Sequence, residues 1–427
     1  MKSQLAFLVA ARRCEIRNLE RLALNCELVQ ALSELVHLLQ RERGASKLAL
    51  AAKESRFEAQ REAYVAASQI AEDDVRARLD RLAPAADAVL FDDARLFTRA
   101  AIALDALSAL PALREQVGAR QSGEVETTLR YSRVIGALLA LVFEAADIAA
   151  DPPVSRLLVS MFHLMQGKEL AGQERAAGAA ALASGRVGAD RAQTLAHLIE
   201  AQEQCFQCFE DFSSEEALRQ WRALQALMPL PEIERMRRIL LSSQPAGELS
   251  RTLAETWFDC CSKRLDLMHR VEMHLATSLR DECARRIAAT RAELEDQERL
   301  LAVFQTDAAA AEPGMSAAFF DAAGDQPRQP VTAEAALGPR LTRSVVDIMQ
   351  AQSRRLQQIS DELAAARAAL DERKLVERAK GLLMAHHGVG EDEAYRLLRQ
   401  TAMNQGRRMA EVARALLDMA DLLPPRT

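Results

Sequence analysis

A helical period of apolar residues runs through this chain almost without a break, and the few places where it stops define the architecture. Apolar positions recur at helical spacing over 12–23, 28–52, 57–82, 91–107, 124–149, 154–184, 192–212, 215–227, 231–242 and 249–304. Punctuation is sparse. Ala83-Pro84-Ala85 and Pro111 interrupt the first third, Asp151-Pro152-Pro153 stops one helix and restarts another, and Gly185 ends the next run. Only 17 of 427 residues are glycine, and β-branched runs are few, so the expected fold class is all-α. Short loops between long helices imply stacked antiparallel bundles over residues 1–304.

Beyond them, residues 305–340 are rich in alanine, proline, glycine and acidic groups and read as a linker. Phe319-Phe320 in its middle is either a docking point or a partly ordered turn. From 341 the helical period resumes. Met349, Leu356, Leu363 and Leu370 stand one heptad apart, with Gln352, Ile359 and Ala366 as the companion seam. That is a short coiled-coil pattern over 341–372, which predicts a homodimer or else a helix packed on the bundles of its own chain.

Residues 373–427 hold three short amphipathic segments. The stripes are Leu375, Val376, Ala379, Leu382, Leu383 and His386; then Ala394, Leu397, Leu398, Thr401 and Ala402; then Met409, Val412, Ala413, Leu416 and Leu417. His387-Gly388 and Asn404-Gln405-Gly406 separate them, predicting a small three-helix bundle. Off the stripes lie Lys380, Arg396, Arg399, Arg407, Arg408 and Arg414, with Met403. Cations opening a helix oppose its dipole unless a phosphate binds there. Spacing alone leaves this as either a solvated basic face or a nucleic-acid contact.

Charge narrows the choice of partners. The formal net charge is −6, so any nucleic-acid contact is local, and only 4% of residues are aromatic. Tyr395 is the one aromatic residue of the C-terminal module, so base stacking is not its main device. No apolar run reads as long and uninterrupted enough to span a bilayer, and the N-terminus lacks a signal-peptide layout; no membrane and a cytoplasmic setting are expected. Seven cysteines lie scattered, Cys205-x-x-Cys208 is a lone pair, and the histidines show no ligand spacing, so neither metal nor cofactor is expected. No paired base and nucleophile stands out, which argues against an enzyme.

The N-terminal stripes contain cations. Arg43 falls in the stripe of Leu28, Leu32, Leu35, Leu39, Ser46 and Leu50, whereas Arg41 projects oppositely. Lys168, Gly172 and Arg175 fall in the stripe of Leu157, Met161, Leu164 and Met165, and Arg237 lies among Ile233, Met236 and Leu240. A buried guanidinium needs a partner. Either each forms a structural ion pair, with Glu42, Glu169 and Glu174 available, or together they make a pocket for a small planar oxyanion. A faint repeat, Glu42-Arg43-Gly44-Ala45-Ser46 against Glu174-Arg175-Ala176-Ala177-Gly178, fits two related bundles across a cleft.

Two resemblances sharpen these readings. Val376-Glu377-Arg378-Ala379-Lys380-Gly381-Leu382-Leu383-Met384, Glu393-Ala394-Tyr395, Leu397-Leu398-Arg399, Arg407-Arg408 and Val412-Ala413 resemble the ANTAR family of RNA-binding antitermination modules. The resemblance implies binding to paired hairpins in a leader RNA, blocking a terminator. Gly390 departs from the pattern where a serine-type cap is usual. Leu39-Gln40-Arg41-Glu42-Arg43-Gly44-Ala45-Ser46, Gly167-Lys168-Glu169-Leu170-Ala171-Gly172-Gln173-Glu174-Arg175-Ala176 and Glu234-Arg235-Met236-Arg237-Arg238 are similar to the NIT nitrate- and nitrite-sensing domain. That family is helical and implies an anion, nitrate or nitrite, held by Arg43 and by Arg237 (with Arg235 or Arg238 as alternatives), while Arg175 binds or supports. The order of domains matches a nitrate-responsive antiterminator. In the mechanism expected, the interior arginines repel one another until the anion bridges them, and the shift frees the C-terminal bundle along the 249–304 helix. The rival readings are a DNA-binding regulator with a helix-turn-helix-like end and a protein-binding adaptor, which leaves the C-terminal arginines without a role.

Overall fold

The computed structural model describes residues 2–51, 55–82, 94–184, 189–241, 251–310, 337–389 and 391–420. Among them every regular element is a helix. These are α1 (Lys2–Ala51), α2 (Ser55–Leu82), α3 (Ala94–Ser108), α4 (Leu110–Gly118), α5 (Glu124–Asp147), α6 (Pro152–Ser184) and α7 (Ala189–Phe212). They continue as α8 (Glu215–Gln225), α9 (Leu230–Leu241), α10 (Arg251–Ala310), α11 (Leu337–His387), α12 (Glu391–Gln405) and α13 (Met409–Ala420). The expected all-α class holds.

The punctuation acts as its chemistry requires. Pro111 does not kink one long helix but sits in the first turn of a new one, α4, where its missing donor costs nothing. Asp151 accepts from the Val154 amide at 3.4 Å ahead of Pro152-Pro153, and Ser214 caps α8 by accepting from Ala217. Gly388 and Gly406 take φ of +65° and +60°, the left-handed caps that end α11 and α12. Where no such residue stands, the helix runs on. The break expected between 23 and 28 is absent, because Leu24-Asn25-Cys26-Glu27 offers nothing to stop α1.

The chain divides into two compact units. The smaller comprises residues up to Leu24 and Arg280–Leu363, so it holds the start of α1, the end of α10 and the first part of α11. Its helices are tied by ion pairs: Arg12 with Glu15 and Glu293 at 2.6 and 2.7 Å, and Arg355 with Glu15 and Glu293 at 2.9 and 3.0 Å. Of the expected linker, 311–336, including Phe319-Phe320, lies outside the described residues, as does Gly390.

The larger unit, Asn25–Leu279 with 364–420, contains both the main core and the C-terminal module. Leu28, Val29, Leu32, Leu35, Val36 and Leu39 of α1 are fully buried, as are Val154, Leu158, Met161, Leu164 and Met165 of α6. Completely burying one such side chain is worth about 1.5–3 kcal/mol, so these stripes hold the unit together. On α10, Trp257, Cys261, Met268, Val271 and Leu275 bury one stripe. The Trp257 indole lies flat enough on α6 that a Cβ at Gly178 would meet the ring at 2.5 Å, and its N–H donates to the Arg175 carbonyl at 3.0 Å.

Two expectations need correcting. Ala6–Ala51 and Ala94–Gly118 are long and apolar enough, by length and composition, to cross a membrane; in the first, two-thirds of the apolar stretch is buried inside the protein as a core helix. In the C-terminal bundle, Ala379, Leu383, Ala394, Leu398, Ala402, Val412 and Ala413 form the core as the stripes predict, but His386 and Thr401 are exposed and Leu397 is 40% exposed. The bundle is too small to cover a second row. Of the heptad seam, Leu363, Ala366 and Leu370 are buried and Ile359 is half-buried, while the side chains of Met349, Gln352 and Leu356 lie outside those described.

Candidate functional site

Helices α1, α6, α9 and α10 bring four guanidinium groups into the interior of the larger unit. Arg43 on α1 donates from Nη1 and Nη2 to the two oxygens of Glu169 on α6 at 2.6 and 3.1 Å, and from Nη1 to Ser132 at 2.7 Å. Gln40 and Gln173 add amide donors to the same carboxylate at 2.9 and 3.0 Å. One turn and a half further along α6 the design recurs. Arg237 of α9 donates from Nε and Nη2 to Glu174 at 2.6 and 2.8 Å, Gln202 donates to it at 2.8 Å, and Arg264 of α10 stands 3.5 Å away. Both carboxylates are almost fully buried, each held by a bidentate fork, with two glutamine amides on Glu169 and one on Glu174.

Arg175 differs. It is buried, but its partners are neutral: Nη1 donates to the Ser262 hydroxyl at 2.8 Å, Nη2 to the Gln40 carbonyl at 3.1 Å, and the group lies 4.7 Å over the Phe258 ring. Burial, and after it the nearby charge of Arg43, pushes its pKa down to about 10, still charged at neutral pH. A buried cation whose hydrogen-bond partners are all neutral is under-compensated, although Asp266 and Glu169 act on it at longer range. Arg264 too is pushed down by burial, whereas the hydrogen bonds and charge of Glu174 outweigh burial at Arg237 and push it up.

The approach of α1 to α6 is reciprocal. A Cβ at Gly44 of α1 would stand 2.9 Å from Arg175 Nη2, and one at Gly172 of α6 would stand 2.7 Å from Arg43 Nη2. Each helix carries a glycine opposite the other's arginine, which lets both guanidinium groups lie between the backbones. The faint repeat in the sequence thus marks this crossing. Arg43 and Arg175 form one cluster with Glu169, and Arg237 and Arg264 another with Glu174. The recess beside Arg237, lined by Glu174, Leu195, Leu240 and Trp257, is too narrow to admit a water molecule.

Of the sequence candidates, Arg43, Arg175 and Arg237 are all interior, whereas the alternatives Arg235 and Arg238 are exposed. General mutual repulsion does not describe the arrangement. Arg43 and Arg237 are each clamped by a carboxylate, and repulsion is confined to neighbours, Arg43 against Arg175 and Arg237 against Arg264. Glu42, a candidate partner for Arg43, serves Arg114 at 2.8 and 3.1 Å, Tyr131 at 2.6 Å, and Ser68. Arg264 was missed, although Trp257, Cys261, Arg264, Met268 and Val271 share one helical face and would have exposed it.

A second polar cluster lies between α1, α6 and α10. Lys168 and Glu272, both with no exposed surface, pair at 2.5 Å, and Ser33 donates to the same Glu272 oxygen at 2.9 Å. His269 bridges Glu272 and Glu34 at 3.1 and 3.0 Å, and His37 stacks on it at 3.9 Å.

In the C-terminal module Arg396, Arg407, Arg408 and Arg414 are exposed. Arg396 pairs with Glu393 at 3.0 Å, Arg407 with Glu411 at 3.5 Å, and Arg408 stands 3.8 Å from Glu372. Lys380 is buried and held by Glu377 at 3.1 Å. Arg399 is turned toward α7, where Glu200 lies 2.6 Å away, and the Tyr395 ring rests 3.9 Å from that of His197. Burial and then Glu200 push the Tyr395 hydroxyl up to about 12. Nearby, Lys374 of α11 donates to Asp147 of α5 at 2.6 Å. The module is thus docked on α5 and α7 through two of its own basic residues, Lys374 and Arg399.

Comparison with known proteins bears on both regions. The NIT family profile, described as nitrate and nitrite sensing, matches residues 34–280, and the ANTAR domain profile matches 364–417. The chain is 33% identical to a nitrate regulatory protein of Klebsiella oxytoca over 412 residues, 96% of this chain and 94% of that one. It is similar to the solved structure of the NasR transcription antiterminator, with TM-score 0.59, 32% identity, and 98% and 99% of the two chains covered. A shorter match, 34% identity over 73 residues and 36% of that protein, is to the transcriptional regulatory protein PdtaR of Mycobacterium tuberculosis (strain ATCC 25618 / H37Rv). The chain therefore belongs to the family of nitrate-responsive transcription antiterminators that join a NIT sensor to an ANTAR module.

Proposed function

We propose that nitrate or nitrite binds among Arg43, Arg175 and Arg237 and that binding releases the ANTAR bundle to grip paired hairpins in a leader RNA. The observation that carries the anion site is Arg175, a buried cation whose hydrogen-bond partners are neutral, beside a second guanidinium. A small planar anion supplies the missing charge and offers two oxygens to each fork. The RNA surface is formed by Arg396, Arg407, Arg408 and Arg414, with Arg399 and Lys380 joining once freed from Glu200 and Glu377. Arg407 and Arg408 lie just ahead of α13, where free backbone donors favour a phosphate.

The arrangement supports the coupling as well. Docking of Arg399 on Glu200 and of Tyr395 on His197 withholds part of the RNA surface. A ligand that binds better to another arrangement of α1, α6 and α10 shifts the population away from this docked one. Phosphate-directed arginines with a single, half-buried aromatic favour a helical RNA stem over unstacked bases. The protein is read as a cytoplasmic regulator without catalytic activity or cofactor, acting as a homodimer so that two bundles meet two hairpins.

The test uses the full chain. Calorimetric titration with nitrate and nitrite is expected to show saturable binding that Arg175→Ala abolishes. Leader-RNA binding is expected to strengthen with nitrate, while duplex DNA of matched length is not bound. Absence of heat with either anion in folded protein refutes the site, and equal RNA affinity with and without nitrate refutes release.

A further inference from the structure

The fork of Arg43 is already filled. Glu169 presents two coplanar, charge-sharing oxygens to Nη1 and Nη2, which is the shape and charge that nitrate offers to a guanidinium. Two amides, from Gln40 and Gln173, hold this carboxylate in place, and α6 tethers it 3% exposed among its donors. No solvent-borne anion reaches the Arg43 fork while Glu169 stays there. Resting on the assignment of the anion to the interior arginines, of which Arg43 and Arg175 are neighbours, we infer that Glu169 is an internal, covalently tethered competitor for nitrate, and that its displacement from Arg43 sets the concentration at which the sensor responds.

The observations separate Glu169 from the equivalent Glu174. Glu174 is shared between Arg237 and Arg264, so losing it would strand two buried cations. Glu169 hydrogen-bonds to Arg43 alone among the arginines, and Arg43 lies beside Arg175, which feels the charge of Glu169 only at longer range and hydrogen-bonds to neutral groups. One anion entering between them would satisfy Arg43 and Arg175 together, leaving Glu169 with Gln173 one turn along α6. A tethered group competes at an effective concentration on the order of millimolar or above. The apparent affinity for nitrate is therefore the intrinsic affinity reduced by the fraction of time Glu169 vacates the fork. Competition of this kind also selects for shape. Chloride cannot replace two parallel hydrogen bonds with one centre, whereas small planar oxyanions can.

Adjacent Lys168 points the consequence toward the rest of the fold. Its ammonium is locked to Glu272 on α10, so a movement of α6 that carries Glu169 off Arg43 pulls on α10 through the next residue in the chain.

The test compares nitrate titrations of the full chain as wild type, Glu169→Gln and Gln40→Leu. Gln keeps the volume and one acceptor but removes the competing charge; nitrate affinity is expected to rise about tenfold or more. Gln40→Leu keeps Glu169 but removes one of its donors, and because Gln40 Oε1 has no hydrogen-bond partner little else is lost. Its affinity is expected to rise about threefold, the equivalent of one weakened hydrogen bond. If Glu169→Gln does not fold, Gln40→Leu decides alone. Wild-type binding with unchanged or weaker binding in the variants overturns the displacement while leaving the anion site standing. No nitrate binding by the wild type overturns the site itself. Chloride that competes as well as formate does would also overturn the shape argument.

Discussion

Removing the sensor's grip on the ANTAR module should create RNA binding without nitrate, and the size of the effect follows from the contacts. The perturbation is Glu200→Ala with His197→Ala, both on α7, so that the candidate RNA residues stay intact. The Arg399–Glu200 pair is about one-third exposed on each side, at 35% and 36%, so solvent screening holds it to about 0.5 kcal/mol. The Tyr395–His197 ring contact at 3.9 Å contributes about 1 kcal/mol. Together they bias docking by about 1.5 kcal/mol, or about tenfold in the docked-to-free ratio. Fluorescence anisotropy with a labelled leader hairpin reads this directly. The double variant is expected to bind about tenfold more tightly than wild type without nitrate and to gain correspondingly less when nitrate is added. Wild-type and variant curves that coincide without nitrate, with nitrate still activating both, would refute docking on α7 as the masking contact.

Three further outcomes follow from the interior. Lys168→Met should destabilise the protein by about 3–5 kcal/mol by stranding Glu272, and adding Glu272→Gln should restore most of it; urea unfolding measures both. The stacked histidines should give a stability maximum near pH 6.5. Burial would lower His269, but its hydrogen bonds to Glu272 and Glu34 outweigh it and raise its pKa above 6.5, so its stabilisation is present below 6.5 and is lost as pH rises through the raised value. Burial, then Lys168 and His269, lowers His37, so below 6.5 the unfolded chain takes a proton that the folded one refuses, costing about 1.4 kcal/mol per pH unit. Thermal melts against pH should lose the alkaline limb in His269→Asn and the acid limb in His37→Asn. Finally, Arg407→Ala with Arg408→Ala should weaken RNA binding evenly across stem sequences and reduce the salt slope by about one for each arginine lost, checked by binding at graded ionic strength.

What the sequence disclosed was local. Helix ends with a chemical cause, such as Asp151-Pro152-Pro153 and Gly406, fell where expected, and the stripe position of Arg43 and Arg237 correctly marked them as interior. Contacts between residues far apart in the chain stayed hidden. Nothing in the stretch around Lys168 points to Glu272, 104 residues away, and nothing around Arg399 points to Glu200. The heptad of α11 was legible as an apolar seam but not as to what covers it, since a seam buried in its own chain and one facing a second copy share the same pattern. The choice of clamp was equally out of reach. Glu42, Glu169 and Glu174 all lie near arginines in sequence, and only the fold assigns Glu42 to Arg114 and Tyr131.

The chain has two tryptophans, and their placement equips it with a built-in optical gauge. The indole of Trp257 is fully buried on α10, bonded through its N–H to the carbonyl of Arg175 itself and resting on α6 at Gly178. Trp221 lies elsewhere, among Phe206 and Phe209 with its N–H on Glu210. Emission from Trp257 in a Trp221→Phe background therefore reports the field and backbone position at the guanidinium cluster without any attached dye. An occupant arriving beside Arg175 would announce itself as a spectral shift of the indole that is bonded to the Arg175 carbonyl.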